Sequence, residues 1–394
     1  MKKRMTLLFS FICLVGVQQT NAHEAEGVVN TLFNQAVQAE SVPGISVAVA
    51  DNKRGIWANG FGYADLENRL LMKANTKLRI GSIAKVFTAA ALMRLYQQGQ
   101  IDFDADIRER VPQWPDKHEK ITLSDLVSHT SGIRHYQSFD EFLSNVEYEN
   151  TLDALSIFKD DALLFSPGSQ VSYSTYGWTL ISAVMEKAAN DKVFKQIIKD
   201  EVLTPLDMLH TDFDDNGPII SHRQRAYSYE NRQLVNSPQV NSSYKYAGGG
   251  FLSTPTDVVK FAMAHVNRTF LTSESLALLF DEKTLPDGSH TGIGIGWFIG
   301  FEPYVTSMTG LQNKRHSKGI LTKEEKQKTN DLIRIMQQHP HSVMHSGGSV
   351  GGESMMILCL EHEHAVAVAK NVDNSPEADT FSLALRALDA FYRF

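Results

Sequence analysis

A serine and a lysine three positions apart at the head of a helix can make a nucleophile with its own base. The hydroxyl meets backbone N–H groups that favour developing negative charge, and the amine lies one turn on, beside it. The pattern Ser-x-x-Lys occurs three times in this chain, at Ser82–Lys85, Ser156–Lys159 and Ser242–Lys245, so context has to choose among them. Gly81 precedes Ser82, and Val86-Phe87-Thr88-Ala89-Ala90-Ala91-Leu92-Met93 follows as a helix with almost no polar face. A helix that is apolar all round is a buried one. Lys85 is then poorly solvated, its ammonium is disfavoured, and a neutral amine is available to take the serine proton. The plainer reading of the same segment is a serine that caps a helix and a lysine that snorkels to solvent. Ser156 lies in a segment ending Lys159-Asp160-Asp161 that reads as solvated, and Ser242 leads into the loop-like Tyr246-Ala247-Gly248-Gly249-Gly250.

Two further segments could complete such a site. In Phe165 to Trp178, a Pro-Gly turn runs into an extended piece carrying Tyr173, and a helix follows from about Thr179. A phenol close to an ammonium loses its proton more readily and could act as base for Ser82, then as acid to the leaving group; a packed tyrosine with a satisfied hydroxyl is the alternative. His345-Ser346-Gly347-Gly348-Ser349-Val350-Gly351-Gly352 stands just before an apolar strand. Its glycines would let a substrate backbone lie against a strand edge, and a backbone N–H there could join that of Ser82 as an oxyanion hole. His345 would hold a substrate carboxylate or join the proton network, or else bond only to nearby backbone.

The elements that must position these groups are legible from periodicity. Glu26 to Ala39 reads as an amphipathic helix, and Ile45 to Ala50 and Ile56 to Tyr63 read as strands joined by turn residues into an antiparallel hairpin. Near the other end, Ser354 to Leu360 and Ala365 to Ala369 read as two more strands, with a closing helix over Pro376 to Phe394. Together these predict an α/β (α+β) domain. Its antiparallel sheet is built from both chain ends and flanked by helices, and a mostly helical lobe spans about 122–229. A cleft between lobe and sheet is the natural ligand site.

Bulk properties narrow the function classes. Lys2, Lys3 and Arg4 precede an apolar run from Met5 to Val17, and Ala22 offers a cleavage point, so residues 1–22 read as a signal peptide and 23–394 as the mature domain. Export to the periplasm is expected, with secretion as the alternative, and no stable membrane insertion after cleavage. Loss of Cys13 leaves Cys359 alone, read as a small buried thiol. The net charge of −7 is modest, and lysines and arginines are scattered, which argues against nucleic acid. The stretch from Lys314 to Lys328 is locally basic and reads as part of a solvated insertion over Phe301 to Pro340, a lid or an interface or neither. No feature of the sequence speaks to oligomeric state.

In this order and context the three segments resemble the serine β-lactamase and penicillin-binding family, in its class C and D-alanyl-D-alanine carboxypeptidase branch. Ser82–Lys85 matches the Ser-x-x-Lys element, Tyr173 a Tyr-x-Asn-like element, and His345-Ser346-Gly347 a Lys-Thr-Gly-like or His-Thr-Gly-like one. Leu123 to Ile133 and Ala247 to Thr254 agree, and the likeness runs from about Pro43 to Val372. The stretch Tyr173 to Gly177, with Thr175 where asparagine is usual, is most similar to the mitochondrial β-lactamase-like branch and its bacterial relatives. The resemblance implies a β-lactamase/transpeptidase-like fold and a serine hydrolase that forms an acyl-enzyme on a small-molecule or peptide substrate. By the same resemblance Ser82 is the nucleophile, Lys85 and Tyr173 share the proton work, and Thr175, His345, Ser346 and Gly348 line the substrate site. The N–H groups of Ser82 and Gly348 are the implied oxyanion donors, and no metal or cofactor is implied. Threonine lacks the amide that asparagine would offer a substrate carbonyl, which favours peptidase or esterase activity over antibiotic hydrolysis.

Two rival classes remain open on sequence. His339, His341 and His345 form a His-x-His-x-x-x-His cluster that could serve a metal hydrolase, although metal ligation needs convergent geometry, and Glu361-His362-Glu363-His364 reads as a solvated turn. A catalytically weak or inactive scaffold that keeps the fold is the second rival.

Overall fold

The computed structural model describes residues 23–302, 305 and 323–394. The expected signal peptide and most of the residues between Phe301 and Lys323 lie outside the described residues. Helix α1 (23–36) leads to β1 (Gly44–Asp51) and β2 (Gly55–Asp65), which form the expected antiparallel hairpin, with Val47 opposite Asn59. The short strand β3 (Leu70–Leu71) borders β2. At the other end of the chain come β4 (Phe298–Ile299), β5 (Ser342–Ser349), β6 (Gly352–Cys359) and β7 (His364–Lys370). The seven strands form one sheet in the order β3-β2-β1-β7-β6-β5-β4, so the two chain ends meet where β1 pairs antiparallel with β7.

Both faces of this sheet are covered, which is why β1, β6 and β7 read as apolar runs and not as alternating patterns. One face packs on α1, on the helix α6 (Lys323–Gln338) and on the closing helix α7 (Thr380–Arg393), through Phe33, Val47, Ile357, Val368 and Leu388 among others. The other face takes α2 (Ala84–Gln97) and α5 (Pro255–Ala264), through Ala48, Phe87, Phe261, Met356 and Ala367. Helix α5 begins cleanly because Thr254 accepts a hydrogen bond from Asp257 N (3.2 Å) and proline fills its first turn.

The lobe beside the sheet contains α3 (Leu123–Val127), α4 (Thr175–Ala188) and several shorter helical turns, the last ending at Leu203. Beyond that point the expectation of helix to residue 229 gives way to strand. Asp212–Phe213 and Tyr227–Glu230 are extended, and Tyr227 pairs in parallel with Val372. The aromatic content of these pieces, Phe213, Tyr227 and Tyr229, wins once a neighbouring strand is present to pair with. Among the described residues no helix is long and apolar enough to cross a membrane.

Candidate active site

Ser82 sits on a single 3₁₀ turn, Gly81–Ile83, from which the chain passes directly into α2. The turn is pressed against β5. Gly81 has φ +49°, and a Cβ there would lie 2.6 Å from Gly348 O and 2.8 Å from Gly348 N. A Cβ on Gly347 would lie 1.9 Å from Ile80 O. Only glycine permits this approach, and it brings the half-buried Ser82 to the free edge of β5, because β4 pairs only with Val343 and Met344.

Lys85 is fully buried on the first turn of α2. Its Nζ is 3.1 Å from Ser82 Oγ, 3.2 Å from Thr175 Oγ1 and 2.6 Å from Gly248 O. None of these partners is charged. Burial, reinforced by the positive charge of Lys245, therefore holds the Lys85 ammonium well below the usual lysine range. A neutral amine has two N–H donors and one lone pair. Gly248 O and Thr175 Oγ1 accept the two donors, which leaves the lone pair facing the Ser82 hydroxyl.

Tyr173 completes the group. Lys85 Nζ stands 4.8 Å from its ring centre. Burial pushes the phenol above the ordinary tyrosine value, with the neighbouring Ser82 hydroxyl opposing that in part. A tyrosinate would depend on a nearby ammonium, and burial disfavours that form of Lys85, so the electrostatics favour the amine as base and the phenol as proton donor.

Two histidines that sequence reasoning did not single out fix this loop. His129 Nδ1 accepts from Ser174 N (3.1 Å) and its ring stacks on Tyr173 at 4.3 Å. His135 Nδ1 accepts from Thr175 N (3.2 Å). Both imidazoles thus carry their proton on Nε2, and desolvation keeps them neutral, His135 at about 3. The only sequence signal for them was their place in or beside the Leu123 to Ile133 stretch.

A cavity of about 760 Å³ opens in front of Ser82. Thr175, Gly248 and Gly348 line it, as does a wall formed by His135 to Leu143. Of the other expected site residues, His345 and Ser346 are absent from the lining. His345 is 2 % exposed, lies behind Tyr173 at 6.5 Å between ring centres, and its Nδ1 is 2.6 Å from Ser346 O. This corrects the expectation that His345 holds a substrate carboxylate: burial depresses the imidazole to about 3, so it carries no charge to offer. The His339, His341 and His345 cluster is also taken apart. His345 is buried behind Tyr173, His341 is exposed and pairs with Glu361 at 3.3 Å, and His339 is buried beyond the start of β5.

A residue set aside on sequence takes a prominent place instead. Lys245 ends a 3₁₀ turn (Ser243–Lys245), is 4 % exposed, and lines the cavity. The rings of Phe142 and Tyr244 flank its Nζ at 4.8 and 5.2 Å. Burial, followed by repulsion from Arg79 and opposed by Asp214, lowers it to about 8, so it remains a cation at neutral pH. Among the described residues it has no ion-pair partner.

Comparison with known proteins places this arrangement. The Beta-lactamase family profile matches residues 29–391. The chain belongs to the Beta-lactamase family. Within that family it is 31% identical over 411 residues to the human serine beta-lactamase-like protein LACTB, mitochondrial, covering 84% of this chain and 71% of that protein. Among solved structures, the D-amino acid amidase of Ochrobactrum anthropi superposes with a TM-score of 0.74 at 19% identity, over 94% of this chain and 99% of that one. The hydrolase EstCE1 gives 0.73 at 19% identity, over 95% and 99%. The β-lactamase-like fold expected from sequence is thereby shown, and the family includes serine hydrolases among its members.

Proposed function

We propose that the chain is a serine hydrolase that opens amide or ester bonds through an acyl-enzyme on Ser82, with substrates that carry a carboxylate near the scissile bond. The observation that carries the reading is a buried amine with no anionic partner, 3.1 Å from the candidate nucleophile. Lys85 Nζ takes the Ser82 proton as Oγ adds to the carbonyl carbon. The oxyanion is received by the N–H groups of Ser82 and Gly348. The bond to the leaving nitrogen or oxygen then breaks as the Tyr173 hydroxyl donates its proton, which Lys85 replaces. Water repeats the sequence against the ester, with Lys85 as base, and releases the acid.

Lys245 supports the choice of substrate, since among the described residues it is a cation of the cavity wall with no ion-pair partner, and His345 is unable to serve. Thr175 spends its hydroxyl on Lys85, not on a substrate amide, which weighs against efficient β-lactam turnover. The D-amino acid amidase and the hydrolase EstCE1 among the structural relatives point the same way. The test is intact-mass detection of adducts with a fluorophosphonate and with a panel of D-amino-acid peptides, esters and a penicillin. A single adduct that is absent from Ser82→Ala is expected. An unlabelled wild type would instead support a scaffold that has kept the fold and lost the reaction.

A further inference from the structure

Far from the cleft, three donors converge around one point. His339 lies on the turn after α6, Cys359 ends β6, and His362 lies on the turn between β6 and β7. Pairing of Ser342 with Cys359 across β5 and β6 draws the two turns together. His339 Nδ1 and His362 Nδ1 are 3.3 Å apart, and Cys359 Sγ is 3.2 Å from His362 Nδ1. All three ligand atoms lie within 4.8 Å of one another.

Hydrogen bonding alone serves this group poorly. His362 Nδ1 has either one proton or one lone pair, yet it faces both a second Nδ1 and a sulfur at contact distance. A dication that takes a lone pair from each removes the conflict. In a tetrahedral site with Zn–N near 2.0–2.1 Å and Zn–S near 2.3 Å, the N···N edge is about 3.3 Å and the S···N edge about 3.5 Å. The separations of 3.3 and 3.2 Å fall on the first and within a few tenths of an ångström of the second. His339 and Cys359 are buried. The Tyr392 ring covers the group, 4.3 Å from His362 and 5.0 Å from His339.

We propose that His339, Cys359 and His362 form a zinc site of two imidazole Nδ1 atoms and one thiolate, with water as fourth ligand. Binding releases the Cys359 thiol proton to solvent. The ion would fasten the end of α6, and so the C-terminal edge of the 301–340 insertion, to the turn after β6. It lies at the end of β5 opposite Gly348, about 20 Å of strand away, so its role is structural and the Ser82 chemistry does not pass through it.

Metal-free full-length protein titrated with Zn²⁺ against a chromophoric chelator tests the assignment. One equivalent bound is expected. Cobalt substitution should give a thiolate-to-metal charge-transfer band together with intense tetrahedral visible bands. His362→Gln, on a partly exposed turn where the fold tolerates change, should weaken zinc by more than the 10–100-fold typical of losing an outer-shell partner, with serine labelling retained. Cys359→Ser should abolish the charge-transfer band. A wild type that takes up no zinc, a cobalt spectrum without thiolate character, or equal affinity in His362→Gln would each overturn the proposal.

Discussion

Replacing Lys245 by methionine should make the protein more stable and its catalysis worse. The lysine sits at about 8 in the folded protein against an ordinary value of 10.5. At about 1.4 kcal/mol per tenfold in proton affinity, its charge opposes folding by about 3 kcal/mol. Methionine removes that cost and keeps the aliphatic packing. It gives up cation–π contacts worth about 0.5–2 kcal/mol, in part replaced by sulfur–ring contacts, so a net gain of about 1–3 kcal/mol is expected at pH 7. The sign with pH is fixed. The folded value is depressed for a base, so the penalty is complete below about 8, where both states are protonated. It fades as pH rises from 8 to 10.5, and above that both states are neutral. Thermal or urea denaturation of both proteins at pH 7 and at pH 10.5 reads this difference directly. In kinetics, loss of a charged hydrogen bond worth about 1.5–3 kcal/mol should raise KM about 10–100-fold for a carboxylate-bearing ester and little for its neutral analogue. A variant that is less stable than wild type at neutral pH, or a stability difference that does not change with pH, would refute the electrostatic reasoning. Equal losses on both esters would refute the assigned recognition.

Lys85→Met should slow acylation by a fluorophosphonate about 10²–10⁴-fold, the usual worth of a general base. In the wild type, activity should fall only on acidification well below 10.5, as the amine gains its proton, and a pH–rate profile checks both statements. Gly347→Ala should cost roughly 1–3 kcal/mol and abolish labelling, because its Cβ would enter Ile80 O at 1.9 Å. Gly348→Ala, whose Cβ meets nothing within 4 Å, should fold like wild type in the same melting experiment.

Much of the scaffold was legible because its signals are local. The β-branched runs of β1 and β7, and turn residues between β1 and β2, gave the hairpin and the meeting of the chain ends. Ser82 and Lys85 were legible because Val86 to Met93 leaves no polar face for a lysine to reach. The strand β5 was not, since His345-Ser346-Gly347-Gly348 has low strand propensity. It is extended because β6 pairs with it along its whole length and because the serine turn requires glycine beside it. Lys245 was passed over for a related reason. Its glycine-rich surroundings look like solvent loop, and the rings that bury it come partly from Phe142, about a hundred residues earlier. Burial of that kind is a tertiary property, and the same holds for His339 and His362, which neighbouring turns bring together.

The two sides of the cavity differ in how much freedom they leave. On one side, backbone of the serine turn touches backbone of β5, and neither Gly81 nor Gly347 could take a side chain there. Across from it, Ser138 caps a four-residue helix, Phe139–Phe142, whose Phe139 is 75 % exposed and free of the catalytic hydrogen bonds. New substrate preferences in this lineage should therefore accumulate between Gln137 and Leu143, where a swap of side chain alters what fits without disturbing how the bond is broken.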